Sequence, residues 1–314
     1  MASIPAEQLR SLLAAKRLGE AEELVERGAA HPDRARWFRE AGLLALKSGE
    51  PRLAAEWLGR AAGLSPRDPE PRHERGLALL ELGEVGLAAR AQAEALALDP
   101  EHTGARAQRA AALEALGDDE GAARELAALL TRIGPQPALH ARLDGLREAA
   151  RRATHLSLLG APAARVEQSP AVSAAFARAA QRPPGLAFRA PFADLEAIPD
   201  GHGRVRRLTL VFDSMDASLA RTDLSYGGTT EDEHGRRVPL DEFTAAATVF
   251  LAQGLGIDAQ RARRLLRFLL TPECGLGPLP FAHARVGWVI DESPRSSRRY
   301  GLFVEEGRFP AAAT

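Results

Sequence analysis

The sequence is short of most residues that announce chemistry. Cys274 is its one cysteine, which excludes an internal disulfide framework and any multi-cysteine metal site. Lysine occurs only at Lys16 and Lys47, and the formal net charge is -1, so nothing in the bulk charge attracts nucleic acid or anionic lipid. No apolar run approaches the ~18–20 residues that a membrane span requires. The stretch Met1 to Glu20 has an amphipathic pattern with charges inside it and lacks the uninterrupted apolar core of a signal peptide. These absences predict a soluble, cytoplasmic protein. The common catalytic signatures are missing too. There is no Gly-rich phosphate loop ending in Lys and Ser/Thr, no Gly-x-Ser-x-Gly elbow and no His-Glu-x-x-His helix.

What the first half does have is a 34-residue period. Gly49, Gly83 and Gly117 fall one period apart, as do Ala54, Ala88 and Ala122. Gly42, Gly76 and Ala110 form a third register; Ala61, Ala95 and Leu129 a fourth; Pro66, Pro100 and the Gly134-Pro135 pair a fifth. A period of this length predicts stacked helical hairpins, each too small to bury its apolar face alone. In the clearest copy, Trp37 to Lys47 is the first helix, Ser48-Gly49-Glu50 the turn and Arg52 to Leu64 the second helix. Small residues at Gly42, Ala54 and Ala61 allow close approach, with Phe38, Leu58 and Leu64 expected to fill the gaps between hairpins. Pro66 ends the second helix because it cannot donate the next hydrogen bond.

This arrangement resembles the tetratricopeptide repeat (TPR) family over roughly residues 35–136. The matching residues are Gly42, Ala45, Gly49, Ala54, Leu58, Ala61 and Pro66, then Gly76, Leu79, Gly83, Ala88, Ala95 and Pro100, then Ala110, Leu113, Gly117, Ala122 and Leu126. Residues 5–32 read as a shortened extra hairpin and Pro137 to Leu159 as a capping helix. The resemblance implies a groove lined by the first helix of each repeat, presenting Arg39, Leu43, Leu46, His73, Leu77, Leu80, Ala107, Ala111 and Glu114. One subclass of the family clamps the terminal carboxylate of chaperone tails. Arg39 suits that role, but Leu43 stands where an Asn is expected, and Ala107 and Gln108 offer no cation. The leucines point instead to an apolar peptide or helix segment of another protein.

From Gly160 to Pro199 six prolines break the pattern, and 159–198 reads as a Pro-rich linker between a repeat domain at 1–158 and a second domain at 199–308, with 309–314 a tail. In the second domain, Val205–Phe212 and Leu219–Tyr226 read as strands and Leu240–Leu255 as a helix. Asp258 caps a further helix, and the alternating runs Arg285–Asp291 and Tyr300–Glu306 form an antiparallel pair. The expected fold is an all-α, TPR-like solenoid followed by a small α+β domain of order ββααββ.

Candidate chemistry in this half is sparse. Asp213 and Asp216, past the end of a strand, with Asp223 on the next, have the oxygen donors of a hard-cation site, but Asp is also a common turn residue. Cys274 precedes His283 by nine residues, a pair capable of nucleophilic chemistry only if the fold brings them together. Arginines around 204–207, 261–267 and 295–299 suggest phosphate or RNA, against which stand the acidic run at 231–233 and the shortage of aromatics for stacking. No cofactor and no metal is expected. The leading expectation is an interaction protein, an adaptor or scaffold whose groove binds a partner segment, with the α+β half an effector or recognition module. The alternative is an enzyme or small-ligand-binding protein with Arg207, Asp213, Asp216 and Tyr226 converging on one site.

Overall fold

A computed structural model of the chain describes residues 5–27, 33–175, 177–178, 186–190, 193–212, 229–231, 237–271, 274, 278–281, 283–291 and 299–307. The chain divides into two compact units. One comprises Met1–Ala115 with Ala122–Leu143, the other Leu116–Gly121 with Asp144–Thr314.

The first unit is a TPR-like array of helical hairpins. A short pair, α1 (Ala6–Ala14) and α2 (Leu18–Glu26), precedes α3 (Arg34–Lys47) with α4 (Pro51–Leu64), α5 (Glu70–Glu81) with α6 (Val85–Leu98), and α7 (Thr103–Leu116) with α8 (Asp119–Ile133); α9 (Pro137–Leu156) begins in this unit, and from Asp144 on it belongs to the second. Local chemistry sets the helix ends. The Asp33 side chain accepts from the Arg36 amide at the start of α3, and Pro51 opens α4 where its missing N–H would have no partner. Helices α3 and α5 end alike. Gly49 and Gly83 adopt φ of 72° and 76°, while the amides of Glu50 and Glu84 reach back to the carbonyls of Ala45 and Leu79 at 2.9 Å. That is the Schellman closure, and it is why glycine recurs at this register.

Ala54, Ala61, Ala88, Ala95 and Ala122 are fully buried, and Phe38, Trp57 and Leu58 are buried with them. The short first hairpin is tied in by the Trp37 indole N–H, which donates to the Val25 carbonyl at 2.9 Å, and by an Arg60–Glu26 ion pair. Leu64 departs from its expected place in the core. It is 40% exposed, as Leu98 is at the same register, and each is the last residue of a second helix.

The second unit is a small α+β fold. After α10 (Ala163–Glu167) and α11 (Pro170–Ala175) come β1 (Ala177–Arg178), β2 (Leu186–Ala190), β3 (Ala193–Pro199), β4 (Val205–Phe212), β5 (Thr229–Glu231) and β6 (Arg237–Pro239). Two helices follow, α12 (Leu240–Leu255) and α13 (Ala259–Leu269), then β7 (Leu279–Phe281), β8 (Ala284–Asp291) and β9 (Arg299–Glu306). The main sheet has the order β1-β2-β3-β4-β9-β8-β7, antiparallel throughout, and β5-β6 form a separate pair. Leu208 and Leu210 pair with Val304 and Leu302, which pair in turn with Val286 and Trp288, giving one buried apolar face. Gly254 of α12 approaches that face, 3.3 Å from Val304 and 3.5 Å from Leu208 as measured from the position a Cβ would take, and the Trp288 indole donates to the Leu269 carbonyl at 2.9 Å. Asp258 caps α13 by accepting from the amides of Gln260 and Arg261.

The element order therefore differs from ββααββ. Strand 219–226 of that expectation lies outside the described residues, and the stretch 159–198 holds α10, α11 and β1 to β3. Three prolines among the described residues sit where a missing N–H costs little: Pro162 before α10, Pro170 opening α11 and Pro199 closing β3. Among the described residues no helix is long and apolar enough to cross a membrane.

Candidate functional site

The nine residues expected on the groove form three rows, one per first helix: Arg39, Leu43 and Leu46 on α3; His73, Leu77 and Leu80 on α5; Ala107, Ala111 and Glu114 on α7. Their i, i+4, i+7 spacing puts each row on one helix face. All nine are half-buried, so each keeps open surface while standing beside its neighbours.

The polar members are already engaged. Arg39 donates through Nε and Nη2 to the two carboxylate oxygens of Glu74 at 2.8 and 2.6 Å, and more weakly to Glu70 at 3.3 Å. Glu74 is buried, and its hydrogen bond holds the Arg39 guanidinium above its ordinary pKa, with Asp68 and Glu70 adding to the effect. Glu114 accepts from Arg142 Nε of α9 at 3.0 Å. The carboxylate-clamp role is therefore closed to Arg39, because a fork-to-fork pair already fills its guanidinium.

His73 belongs to a network that the sequence pattern did not single out. Its carbonyl accepts from Gln92 Nε2 at 3.1 Å, and its Nδ1 lies 2.9 Å from Gln92 Oε1. Gln92 sits on α6, fully buried, at the register that carries Leu58 and Leu126 in the other repeats. Gly76 makes the room: a Cβ there would lie 2.2 Å from Gln92 Nε2, just as one at Gly42 would meet Leu58 Cγ at 2.5 Å. A polar residue at a leucine register was the available signal, since a buried amide requires a partner. The His102 ring stands 4.6 Å from that of His73, with Nε2 3.3 Å from Glu70 Oε1.

Of the second candidate set only Arg207 lies among the described residues. Arg207 lies on the sheet face opposite the helices, over the Phe303 ring at 4.6 Å and 3.8 Å from Glu305, which Arg285 also holds at 2.7 Å. Asp213, Asp216 and Tyr226 lie outside the described residues. Burial pushes the His283 imidazole below its ordinary pKa of 6.5, with Glu120 opposing. Among the described residues no group of three or more His, Cys, Asp or Glu is arranged to hold a metal ion. An open cleft of about 560 Å³ in this unit is lined by Leu156, Leu158, Arg165, Gln253, Ile257 and Asp258 among others, and it contains none of the expected site residues.

No family model and no curated protein matches the chain. Solved structures do. The first TPR of Spaghetti (RPAP3), bound to the HSP90 peptide SRMEEVD, is 23% identical, covering 37% of this chain and 91% of that one, at a TM-score of 0.35. The Arabidopsis OM64 TPR domain is 22% identical over 36% and 94%, at 0.34. YrrB, described as a TPR protein with an unusual peptide-binding site, is 25% identical over 42% and 69%, at 0.34. At such scores these matches add nothing to what the chain itself displays. The period, the glycine closures and the buried small residues make residues 35–136 a TPR-like array.

Proposed function

We propose that this chain is an interaction protein in which the face of α3, α5 and α7 docks a segment of another protein. The segment is an apolar peptide or helix, and the α+β unit serves as effector or second recognition module. One observation carries the reading. Leu43, Leu46, Leu77, Leu80, Ala107 and Ala111 remain half-buried in register along three successive helices. Six apolar side chains left partly open in line form a surface of the kind that helix-in-groove recognition uses.

The test is selection of a displayed random-peptide library on the immobilised full-length chain. The wild type should enrich peptides. The double variant Leu43→Glu, Leu77→Glu should bind them at least about tenfold more weakly, since each buries a carboxylate against the incoming apolar residue. Its circular dichroism and melting should match the wild type. Equal binding by both proteins, or no enrichment by the wild type, would sink the reading.

A further inference from the structure

We infer that the docking face, on the reading just given, selects a segment with a basic residue at one end followed by apolar residues, and not one ending in a carboxylate. The inference rests on the balance of donors and acceptors at the N-terminal ends of α3 and α5, beside the leucine rows. Three carboxylates, Asp68, Glu70 and Glu74, surround the single Arg39 guanidinium. Glu74 takes both arms of the fork. Glu70 is left with two long contacts, to Arg39 Nη2 and to His102 Nε2, each at 3.3 Å, and a side chain 44% exposed.

The imidazoles do not make up the missing donors. His102 Nδ1 accepts from the Ala105 amide at 3.1 Å, which places the ring proton on Nε2, facing Glu70 at 3.3 Å. That contact is misaligned, and His102 Nε2 forms no hydrogen bond. On His73 the assignment is the reverse. The Gln92 NH₂ donates to the His73 carbonyl, so Gln92 Oε1 must accept from Nδ1–H. The His73 Nδ1–H is therefore taken up by Gln92. Glu70, one turn before His73 on α5, thus keeps acceptor capacity at the start of the α5 row.

Nearby cations have partners elsewhere. Arg36 pairs with Glu40, Arg72 donates to the carbonyls of Ser65 and Asp68, and Arg106 pairs with Glu125. An incoming ammonium or guanidinium would meet Glu70 as a charge-assisted acceptor at the edge of an apolar row. An incoming carboxylate would meet uncompensated negative charge.

The experiment uses the same display library on the full chain, with peptides N-acetylated and C-amidated when resynthesised for anisotropy titration. Enriched sequences should share a Lys or Arg beside paired apolar residues. Glu70→Gln should weaken such a peptide by about tenfold and flatten its salt dependence, while Glu70→Lys should shift enrichment toward acidic sequences. Enrichment without a basic residue, enrichment of acidic or free C-terminal carboxylates by the wild type, or indifference to both Glu70 variants overturns the inference. If binding in those cases is still lost in Leu43→Glu, Leu77→Glu, the interaction reading survives alone. Absence of any enrichment overturns both.

Discussion

The two units reach order by opposite routes. In the first, α3 and α5 repeat the same closure one period apart, and a hairpin of this kind needs only its neighbours. In the second, the sheet is closed by β4 pairing with β9 across everything between 212 and 299, so its centre depends on strands far apart in sequence. A repeat unit should absorb a local defect, whereas the sheet unit should fail as a whole. Of the three tryptophans, Trp37 and Trp57 lie in the first unit and Trp288 in the second.

Glycine substitutions sharpen that contrast most. Gly256 follows α12 with φ of 70°, and a Cβ there would lie 1.9 Å from the Ala153 carbonyl oxygen and 2.7 Å from the Ser157 amide nitrogen. Both atoms are backbone, held where the end of α9 meets α12 by the Leu158 amide donating to the Gln253 carbonyl at 2.8 Å. Gly256→Ala must move main chain, and the expected loss is about 3 kcal/mol or more, enough to remove the Trp288 transition from a urea titration. Gly83 has the same backbone conformation, φ 76°, with nothing near its missing Cβ. Gly83→Ala should cost only the left-handed strain, about 1 kcal/mol, and leave the Trp288 signal in place. Similar losses for the two variants would end the distinction between the units.

The second test concerns an exception inside the repeats. If Gln92 is there to orient His73 and not to stabilise the hairpin, Gln92→Leu should change stability by less than about 1 kcal/mol. Leu58 already fits beside Gly42 in the same geometry, and the half-buried His73 can turn its Nδ1–H to water. Gln92→Ala leaves a hole and two unmatched groups, and should cost about 2–3 kcal/mol by the same titration. A Leu variant as damaged as the Ala variant would make Gln92 a stability residue.

How far the sequence foretold the structure follows the same division. Gly49, Gly83 and Gly117 announced the hairpins because identical turns recur at one spacing, and the Trp288-centred alternation and the Asp258 cap were read from neighbouring residues. Gln92 with His73 and Arg39 with Glu74 were not anticipated, since each pair joins two helices and no periodic pattern says which polar residues will meet. Prolines between 160 and 199 suggested a linker, yet Pro162, Pro170 and Pro199 sit at the ends of elements, where composition alone does not distinguish a boundary from a break. Arg207 looked available for a ligand because Glu305, its cross-strand partner, lies almost a whole domain away in sequence.

The smallest expected effect is a pH dependence confined to the second unit. His283 lies in the turn between β7 and β8, and burial lowers its pKa below the ordinary 6.5 although Glu120 favours the charged form. The unfolded chain protonates near the ordinary value, so it takes up the proton first as pH falls. Stability from the neutral imidazole is therefore complete above about pH 6.5 and is lost progressively as pH drops toward the lowered folded value. Thermal melts followed by Trp288 should drift downward between about pH 7.5 and 5.5, above the range where ordinary carboxylates titrate. His283→Gln, which keeps a polar side chain but cannot titrate, should flatten that drift while leaving the melt at the upper pH nearly unchanged. A drift of equal slope in the variant would assign the effect to other groups, and an upward drift in the wild type would mean that attraction to Glu120 outweighs burial.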